Sequence, residues 1–334
     1  MKMNVLICDD SGFARRQMAR CIPDQWEVEI SFARHGQEAL EMIRAGKADL
    51  MFLDLNMPIL DGYQTMQIIK EQDLPTMVIV VSGDVQPEAR KRILALGALD
   101  FISKPIDNIK LTEILNQYGI YSGAATSSQN QSLEIISEDD RLDAYREMAN
   151  VAMGRAGEQL AKLLNEFIEL PIPNVNIIES SELRMAVFEI QQNDFVSAVS
   201  QGFISAGING EALVIFNETN FENLVKLLRY KQQKVNEQLE IEALMDVSNI
   251  LISACLNALS KQLNVHFSQN HPIILGRHCD LSNLLERNIS RWNKVLAIEI
   301  GYSIENQDIN FDLLLLFPDK SSKTMFDRLI SLNE

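Results

Sequence analysis

Short apolar runs alternate with amphipathic stretches along the first 120 or so residues. The runs occur at Val5–Cys8, Leu50–Leu55, Met77–Val81 and around Phe101, and stretches with helical spacing, such as 36–45 and 87–96, lie between them. Runs that are apolar at every position are typical of parallel strands buried on both faces. Because such strands alternate with helices, we predict the α/β fold class, with an N-terminal doubly wound parallel sheet of five strands.

A change in composition separates this region from the rest of the chain. Residues 122–137, SGAATSSQNQSLEIIS, are mostly small or polar and are typical of a linker. Ser137 and Asp140 then resemble a capping box that begins a long helix. We therefore predict a first domain at 1–121, a linker at 122–137 and a second domain at 138–334.

An internal repeat runs through the second domain. The set Asp143, Glu147, Asn150 and Pro173 recurs 99 residues later as Glu242, Asp246, Asn249 and Pro272. Apolar positions repeat with the same offset, and each half ends with a strand-like run and a short helical pattern. Two repeats of this length are too few for an array. They predict a pseudo-twofold α/β domain with halves at 138–235 and 236–334.

Composition and charge narrow the range of partners. The net charge of −16 argues against nucleic acid, because a nucleic-acid binder needs basic patches. No apolar run approaches the ~18 residues of a membrane span. The N-terminus becomes acidic too early for a signal peptide, so we expect a cytoplasmic protein without membrane insertion. The cysteines lack CxxC spacing, which disfavours zinc and disulfides.

Polar side chains follow the predicted strands of the first domain. Asp9 and Asp10 come after the first, Asp54 ends the third, Ser82 follows the fourth and Lys104 follows the fifth. Ligands gather at the carboxyl ends of parallel strands. Three carboxylates at one point need a cation, and Mg²⁺ is the usual ion where phosphoryl groups move. We predict that Asp54 accepts a phosphoryl group while Lys104 and Ser82 stabilise its oxygens.

These residues stand in strings with a family resemblance. LICDDS, MFLDLNMPILDG, VVSGD and ALGALDFISKP resemble the receiver (CheY-like) domains of two-component signalling, over residues 1–121. The resemblance implies that Asp9, Asp10 and Asp54 form the acidic triad, with Lys104 as the family's lysine. It further implies Ser82 and Phe101 as switch residues, a cis peptide before Pro105, Mg²⁺ held by Asp9, Asp10, Asp54 and Asn56, and a histidine kinase as phosphodonor.

The polar residues of the repeat share one face of a predicted helix. Asp143, Glu147 and Asn150 are spaced i, i+4 and i+7, whereas the apolar stripe runs through Tyr145, Ala149 and Ala152. We therefore expect Glu147 and Asn150 to point away from the core and remain exposed in both copies. One such helix favours a merely solvated face, but the second copy favours a function. For Pro173 and Pro272 we prefer a structural role, as residues that stop helices or start strands.

The spacing of this repeat is similar to that of the CheC/CheX/FliY family of chemotaxis phosphatases, over residues 138–334. The first copy fits throughout, whereas Asp246 stands where that family has Glu. The resemblance implies catalytic pairs Glu147/Asn150 and Asp246/Asn249, of which we expect the first to be better. An Asn carboxamide can orient a water for attack on phosphorus, and the acid can pair with a receiver lysine.

Two functions follow as alternatives. One is an enzyme that removes phosphate from the aspartate of a receiver. The other is a phosphorylation-switched adaptor that binds a chemotaxis or flagellar protein without catalysis. The substrate of the enzyme stays open, because a flexible 16-residue linker spans about 22 Å and allows action on Asp54 itself or on a separate CheY-type receiver.

Overall fold

The computed structural model describes residues 2–123, 138–183, 185, 196–217, 221–228, 237–275 and 292–332. It consists of two compact units that divide within a helix, the first reaching Val151 and the second beginning at Ala152. Most of the predicted linker, together with the Ser137 cap, lies outside the described residues. The domain boundaries expected from composition therefore stay predictions.

The first unit contains five strands, each followed by a helix. In chain order they are β1 (Met3–Cys8), α1 (Gly12–Cys21), β2 (Val28–Ala33), α2 (Gly36–Arg44), β3 (Leu50–Leu53), α3 (Gly62–Glu71), β4 (Met77–Ser82), α4 (Pro87–Ala95), β5 (Asp100–Ser103) and α5 (Asn108–Gln117). The strands form one parallel sheet in the order β2-β1-β3-β4-β5. The predicted doubly wound, five-stranded sheet is confirmed.

Alternate residues of the strands feed two cores, one on each side of this sheet. Leu6, Met51 and Val80 pack on the side of α2, α3 and α4. Their neighbours, such as Ile7 and Phe52, pack on the side of α1 and α5. Because both faces are covered, the strands are apolar throughout and their polar residues are confined to the ends. That arrangement concentrates the polar chemistry at one edge of the sheet.

Two long helices begin the two halves of the repeat. Helix α6 spans Glu138–Leu164 and α8 spans Glu237–Leu263, so both have 27 residues and start 99 residues apart. The first half of α6, up to Val151, belongs to the first unit. In the second unit the two helices touch at small side chains, where the Cys255 thiol lies 3.6 Å from the Ala152 carbonyl oxygen. The repeat found in the sequence therefore corresponds to two equivalent helices in the structure.

The described residues of the second unit form further strands and helices. They are β6 (Ile168–Glu169), β7 (Asn174–Glu179), β8 (Val196–Ser205), β9 (Ile208–Asn217), α7 (Phe221–Leu227), β10 (Ser268–Gln269), β11 (Ile273–Leu275), β12 (Lys294–Ile304), β13 (Asn310–Pro318) and α9 (Asp319–Ser331). The hairpins β8–β9 and β12–β13 join through β9 and β13, and all pairs are antiparallel.

The two halves exchange strands across this sheet. β7 of the first half pairs with β12 of the second, and β11 of the second pairs with β8 of the first. The short strands also pair with the other half, since β6 pairs with β12 and β10 pairs with β8. This exchange confirms the predicted pseudo-twofold α/β architecture. Among the described residues, none of the helices combines the length and apolar character that crossing a bilayer requires.

Candidate functional site

Three residues meet at the carboxyl ends of β1, β3 and β5. The Lys104 Nζ lies 2.7 Å from Asp9 Oδ2 and 3.1 Å from Asp54 Oδ1, and all three side chains are buried. They converge because parallel strands end at the same edge of the sheet. The peptide bond between Lys104 and Pro105 is cis, as the resemblance implied. The structure thus brings together three residues that are separated by up to 95 positions in sequence.

Local backbone contacts hold the two aspartates in place. Asp9 Oδ1 accepts a hydrogen bond from the Ser11 amide at 2.9 Å, and Ser11 in turn caps α1. Asp54 Oδ2 accepts one from the Asn56 amide at 2.8 Å. Arg15 donates from Nη1 to the carbonyl oxygens of Asp9 and Asp10. Each carboxylate therefore keeps one oxygen engaged by the chain and directs the other towards Lys104.

The two predicted switch residues flank this cluster. Ser82 is buried at the end of β4, and its hydroxyl oxygen accepts a hydrogen bond from the Asp84 amide at 3.1 Å. Phe101 in β5 is also buried. Asn56 is half-buried in the loop after β3. All of the residues predicted for the first domain lie at or beside the same edge of its sheet.

The first copy of the repeat motif lies against this cluster within the first unit. Glu147 Oε2 is 3.2 Å from Lys104 Nζ, so one ammonium group contacts three carboxylates. Glu147 and Asn150 are 5% and 6% exposed, and the prediction that they remain exposed is wrong for this copy. The reason is that the first turns of α6 pack on the polar edge of the sheet, which the apolar pattern of the helix did not reveal. Asn150 Oδ1 is buried without a hydrogen-bond partner.

Other contacts of α6 with the first unit were not foreseen from the sequence. Asp143 Oδ2 accepts a hydrogen bond from the Phe13 amide at 2.7 Å, at the start of α1. Asp140 forms an ion pair with Arg16 at 2.9 Å. A Cβ atom on Gly83 would stand 2.8 Å from the Asn150 carbonyl oxygen, so only glycine allows this approach. Gly83 lies in the VVSGD string and follows the switch hydroxyl, but nothing in one sequence shows what it faces.

The charges of the cluster are not balanced. Burial opposes the charge on Lys104, but the carboxylates of Asp54, Asp9 and Glu147 outweigh it and raise the pKa of Lys104 well above its ordinary value. Burial raises the pKa of Glu147 to about 8 and that of Asp54 to about 6, although Lys104 opposes both shifts. One ammonium cannot neutralise three buried carboxylates, so the cluster favours a proton or a cation.

Asp10 gives a structural test of whether Mg²⁺ suits the cluster. Its Oδ1 is buried without a hydrogen-bond partner, and burial, followed by the nearby Asp9, raises its pKa to about 7. An orphaned oxygen beside two more carboxylates is the donor chemistry that Mg²⁺ prefers. In the described part of the chain, however, no group of three His, Cys, Asp or Glu side chains is arranged to hold a metal. The donor types fit Mg²⁺, while Lys104 bridges Asp9 and Asp54 in this conformation.

The second copy of the motif has different surroundings. Glu242, Asp246 and Asn249 are exposed on α8, so the prediction of exposure is confirmed for this copy. The prolines of the motif have the structural role that we preferred. Pro173 directly precedes β7 and Pro272 directly precedes β11.

Comparison with known proteins places the first unit in a class. Residues 5–116 match the response regulator receiver domain family. The same region is 39% identical over 109 residues to a protein-glutamate methylesterase/protein-glutamine glutaminase of Geobacter sulfurreducens, which is 32% of this chain and 29% of that protein. The Bacillus subtilis protein of that name is 35% identical over 111 residues, 33% of this chain and 31% of its own. The chain spans about 30% of the length of these curated relatives. The N-terminal region is therefore a receiver domain, the phosphorylatable part of a response regulator.

Two solved structures each resemble a part of the chain. Thermotoga maritima FliY has a TM-score of 0.45 and 16% identity, over 60% of this chain and all of that one. The CheX–CheY–BeF₃–Mg²⁺ complex of Borrelia burgdorferi has a TM-score of 0.34 and 30% identity, over 36% of this chain and 90% of that one. The fold of the second unit is defined by the strand pairing described above.

Proposed function

We propose that this response regulator is phosphorylated on Asp54 and that its own α6 helix, through Glu147 and Asn150, removes that phosphate. A histidine kinase is the proposed phosphodonor. The observation that carries the proposal is the contact of Glu147 with Lys104, 3.2 Å long and buried. The acid of the repeat motif thus touches the lysine that lies 3.1 Å from the proposed phosphorylation site. Of the two substrates that the sequence left open, this contact favours Asp54 of the same chain for the first copy.

The chemistry follows from the residues that face the phosphoryl group. A water oxygen forms a bond to phosphorus, the bond between phosphorus and the Asp54 oxygen breaks, and the water proton passes to the departing inorganic phosphate. The Asn150 carboxamide can both donate to and accept from that water, which fixes its direction without strong basicity. Lys104 neutralises charge on the transferred oxygens, and Glu147 holds Lys104 and the helix together. The unpartnered Asn150 Oδ1 has its hydrogen-bonding capacity available for such a water.

We propose Mg²⁺ as the cation of this site. Asp9, Asp10, Asp54 and Asn56 are the residues that would hold it. The ion supplies charge neutralisation of the phosphoryl oxygens when bound. The three carboxylates and the orphaned Asp10 oxygen support this choice by their chemistry.

A second candidate function is an adaptor without catalysis. The observation that favours it is the burial of Glu147 and Asn150, because a helix that covers the acidic cluster can act as a switch without taking part in catalysis. Phosphorylation of Asp54 would then release α6 for a chemotaxis or flagellar partner. The two candidates differ in whether Asn150 changes the rate of hydrolysis.

The test is the lifetime of phosphorylated Asp54 in the full chain. The protein is phosphorylated with acetyl phosphate, the donor is removed, and the loss of phosphate is followed. We expect Asn150→Ala to lengthen the lifetime by roughly 100-fold, or ~2.7 kcal/mol of barrier, because water positioning is lost. Asn257→Ala is the matched control, since Asn257 is an exposed asparagine of α8 outside the motif. If the lifetime in Asn150→Ala equals that of the unaltered chain, the phosphatase proposal is wrong and the adaptor function is the one retained.

A further inference from the structure

Arg15 holds the backbone of the loop that carries two of the acids. It lies at the end of the first turn of α1, where its amide donates to the Ser11 carbonyl oxygen at 3.0 Å. Its Nη1 donates to the carbonyl oxygen of Asp9 at 2.6 Å and to that of Asp10 at 3.1 Å. One guanidinium nitrogen thus binds two consecutive carbonyl groups between β1 and α1. Arg15 was not among the residues predicted from the sequence.

The two aspartates differ in how firmly the chain holds them. The Asp9 amide donates to the Ala33 carbonyl oxygen of β2 at 3.2 Å, and the Asp9 carboxylate contacts Lys104 at 2.7 Å. Asp10 lies beyond β1, in the bend before α1, and its Oδ1 is buried without a hydrogen-bond partner. The bond from Arg15 to the Asp10 carbonyl oxygen therefore matters more for the direction of the Asp10 carboxylate than for that of Asp9.

The guanidinium group of Arg15 is confined on its other side by α6. A Cβ atom on Gly12 would lie 3.4 Å from Arg15 Nη2 and 3.2 Å from Asp143 Oδ2, so both groups face the same point above the glycine. Asp143 is itself fixed, because its Oδ2 accepts a hydrogen bond from the Phe13 amide at 2.7 Å. Arg15 thus lies between two carbonyl groups and a fixed carboxylate, which favours one orientation of its planar fork.

We infer that Arg15 is a positioning residue for the Asp10 carboxylate in cation binding, an inference that rests on the proposed Mg²⁺ site. Arg15 is positively charged and cannot be a ligand of a cation. It acts through Asp10, by fixing the backbone from which the orphaned oxygen is presented. Groups that orient the ligands of a metal typically contribute about 10- to 100-fold to its affinity.

The charge and the position of Arg15 predict opposite effects of its removal. A guanidinium group near a cation site repels the ion, so by charge alone its loss would tighten Mg²⁺ binding. If Arg15 orients Asp10, its loss leaves the loop to be ordered when the ion binds, and Mg²⁺ binding becomes weaker. The direction of the change in affinity therefore separates the two roles.

The test is the affinity of the full, unphosphorylated chain for Mg²⁺, measured by isothermal titration calorimetry. We expect Arg15→Met, which keeps an unbranched side chain but loses the charge and the donors, to weaken binding about 10-fold. Arg20→Met is the matched control, since it removes the same charge from the last turn of the same helix. It should change the affinity by less than about 2-fold. Asp10→Asn, which removes the proposed ligand itself, should weaken binding at least as much as Arg15→Met.

Unchanged or tighter Mg²⁺ binding in Arg15→Met would overturn the inference, and so would an equal loss of affinity in Arg20→Met. If Asp10→Asn binds Mg²⁺ as tightly as the unaltered chain, the proposed cation site is wrong and the inference fails with it. Arg15 is half-buried, so the fold should tolerate methionine at this position, and circular dichroism verifies this. The phosphatase proposal is judged separately, by the effect of Asn150→Ala on the lifetime of phosphorylated Asp54.

Discussion

Gly83→Ala tests the contact between α6 and the receiver without altering any group that takes part in the chemistry. The added Cβ would lie 2.8 Å from the carbonyl oxygen and 3.1 Å from the carbonyl carbon of Asn150, where ordinary contact begins at 3.4 Å. Both obstacles are backbone atoms and cannot rotate away. The helix must therefore retreat by about 0.6 Å. Gly83 does not have a left-handed backbone conformation, so alanine introduces no strain of its own.

That displacement should be costly for hydrolysis. A misplacement of about 1 Å at a reacting centre can lower a rate by about 100-fold. We therefore expect the lifetime of phosphorylated Asp54 to lengthen by roughly 10- to 100-fold in Gly83→Ala. The assay is the decay of ³²P-labelled protein after removal of acetyl phosphate, at two protein concentrations. The unaltered chain should decay at the same rate at both concentrations, because the proposed reaction takes place within one molecule.

A double variant separates loss of docking from damage to the receiver. If Gly83→Ala acts by displacing Asn150, combining it with Asn150→Ala should add little to either single effect. The rate at which acetyl phosphate phosphorylates Gly83→Ala should be equal to or higher than that of the unaltered chain, since Asp54 is less covered. An unchanged lifetime in Gly83→Ala, or additive effects in the double variant, would refute the reasoning.

Three further predictions concern the charges and the core. Glu147→Gln should make the docking of α6 on the receiver less dependent on pH. Burial raises the pKa of Glu147 from 4.5 to about 8 in the docked form, so protonation favours docking at low pH. This contribution to docking is lost as the pH rises from 4.5 to about 8. Hydrogen exchange of α6 amides from pH 5 to 8 without divalent cations measures it, and an equal slope in both proteins would contradict it. Arg16→Glu should lower the fraction of molecules with α6 docked and slow hydrolysis by up to about 5-fold, which corresponds to the free energy of a partly exposed ion pair. Adding Asp140→Arg to this variant should restore the rate of hydrolysis. A rate that is not restored would contradict a role for the ion pair. Phe317→Ala, at a fully buried ring, should lower the free energy of unfolding by about 3–5 kcal/mol in urea, and a loss below ~1 kcal/mol would show that the site collapses.

The receiver was readily predicted because its signals are local. Buried parallel strands leave continuous apolar runs, and polar residues are tolerated only where those runs end. Asp54 and Lys104 were therefore identifiable one strand at a time, and the rule that parallel strands share an edge brought them together. The offset of 99 residues likewise predicted α6 and α8, since a duplicated helix repeats both its apolar stripe and its polar face.

The surroundings of Glu147 could not be predicted in the same way. The apolar stripe shows which side of α6 faces a hydrophobic core, but a polar side looks the same whether water or another polar surface covers it. Glu147 and Asp246 have equivalent positions in the repeat, yet one is buried and the other exposed. The strand exchange of β7 and β11 is a long-range choice that short apolar runs do not encode.

The placement of α6 over Asp54 has a kinetic consequence for signalling. On the function proposed above, a kinase cannot occupy the surface of the receiver that α6 covers, so phosphoryl gain is expected only when the helix is withdrawn. On the same proposed function, the returning helix brings Asn150 to the phosphoryl group and hastens phosphoryl loss. Opening of the helix would thus raise the rate of phosphoryl gain and lower the rate of phosphoryl loss. A small change in this one equilibrium would therefore alter the steady-state level of phosphorylation through both rates.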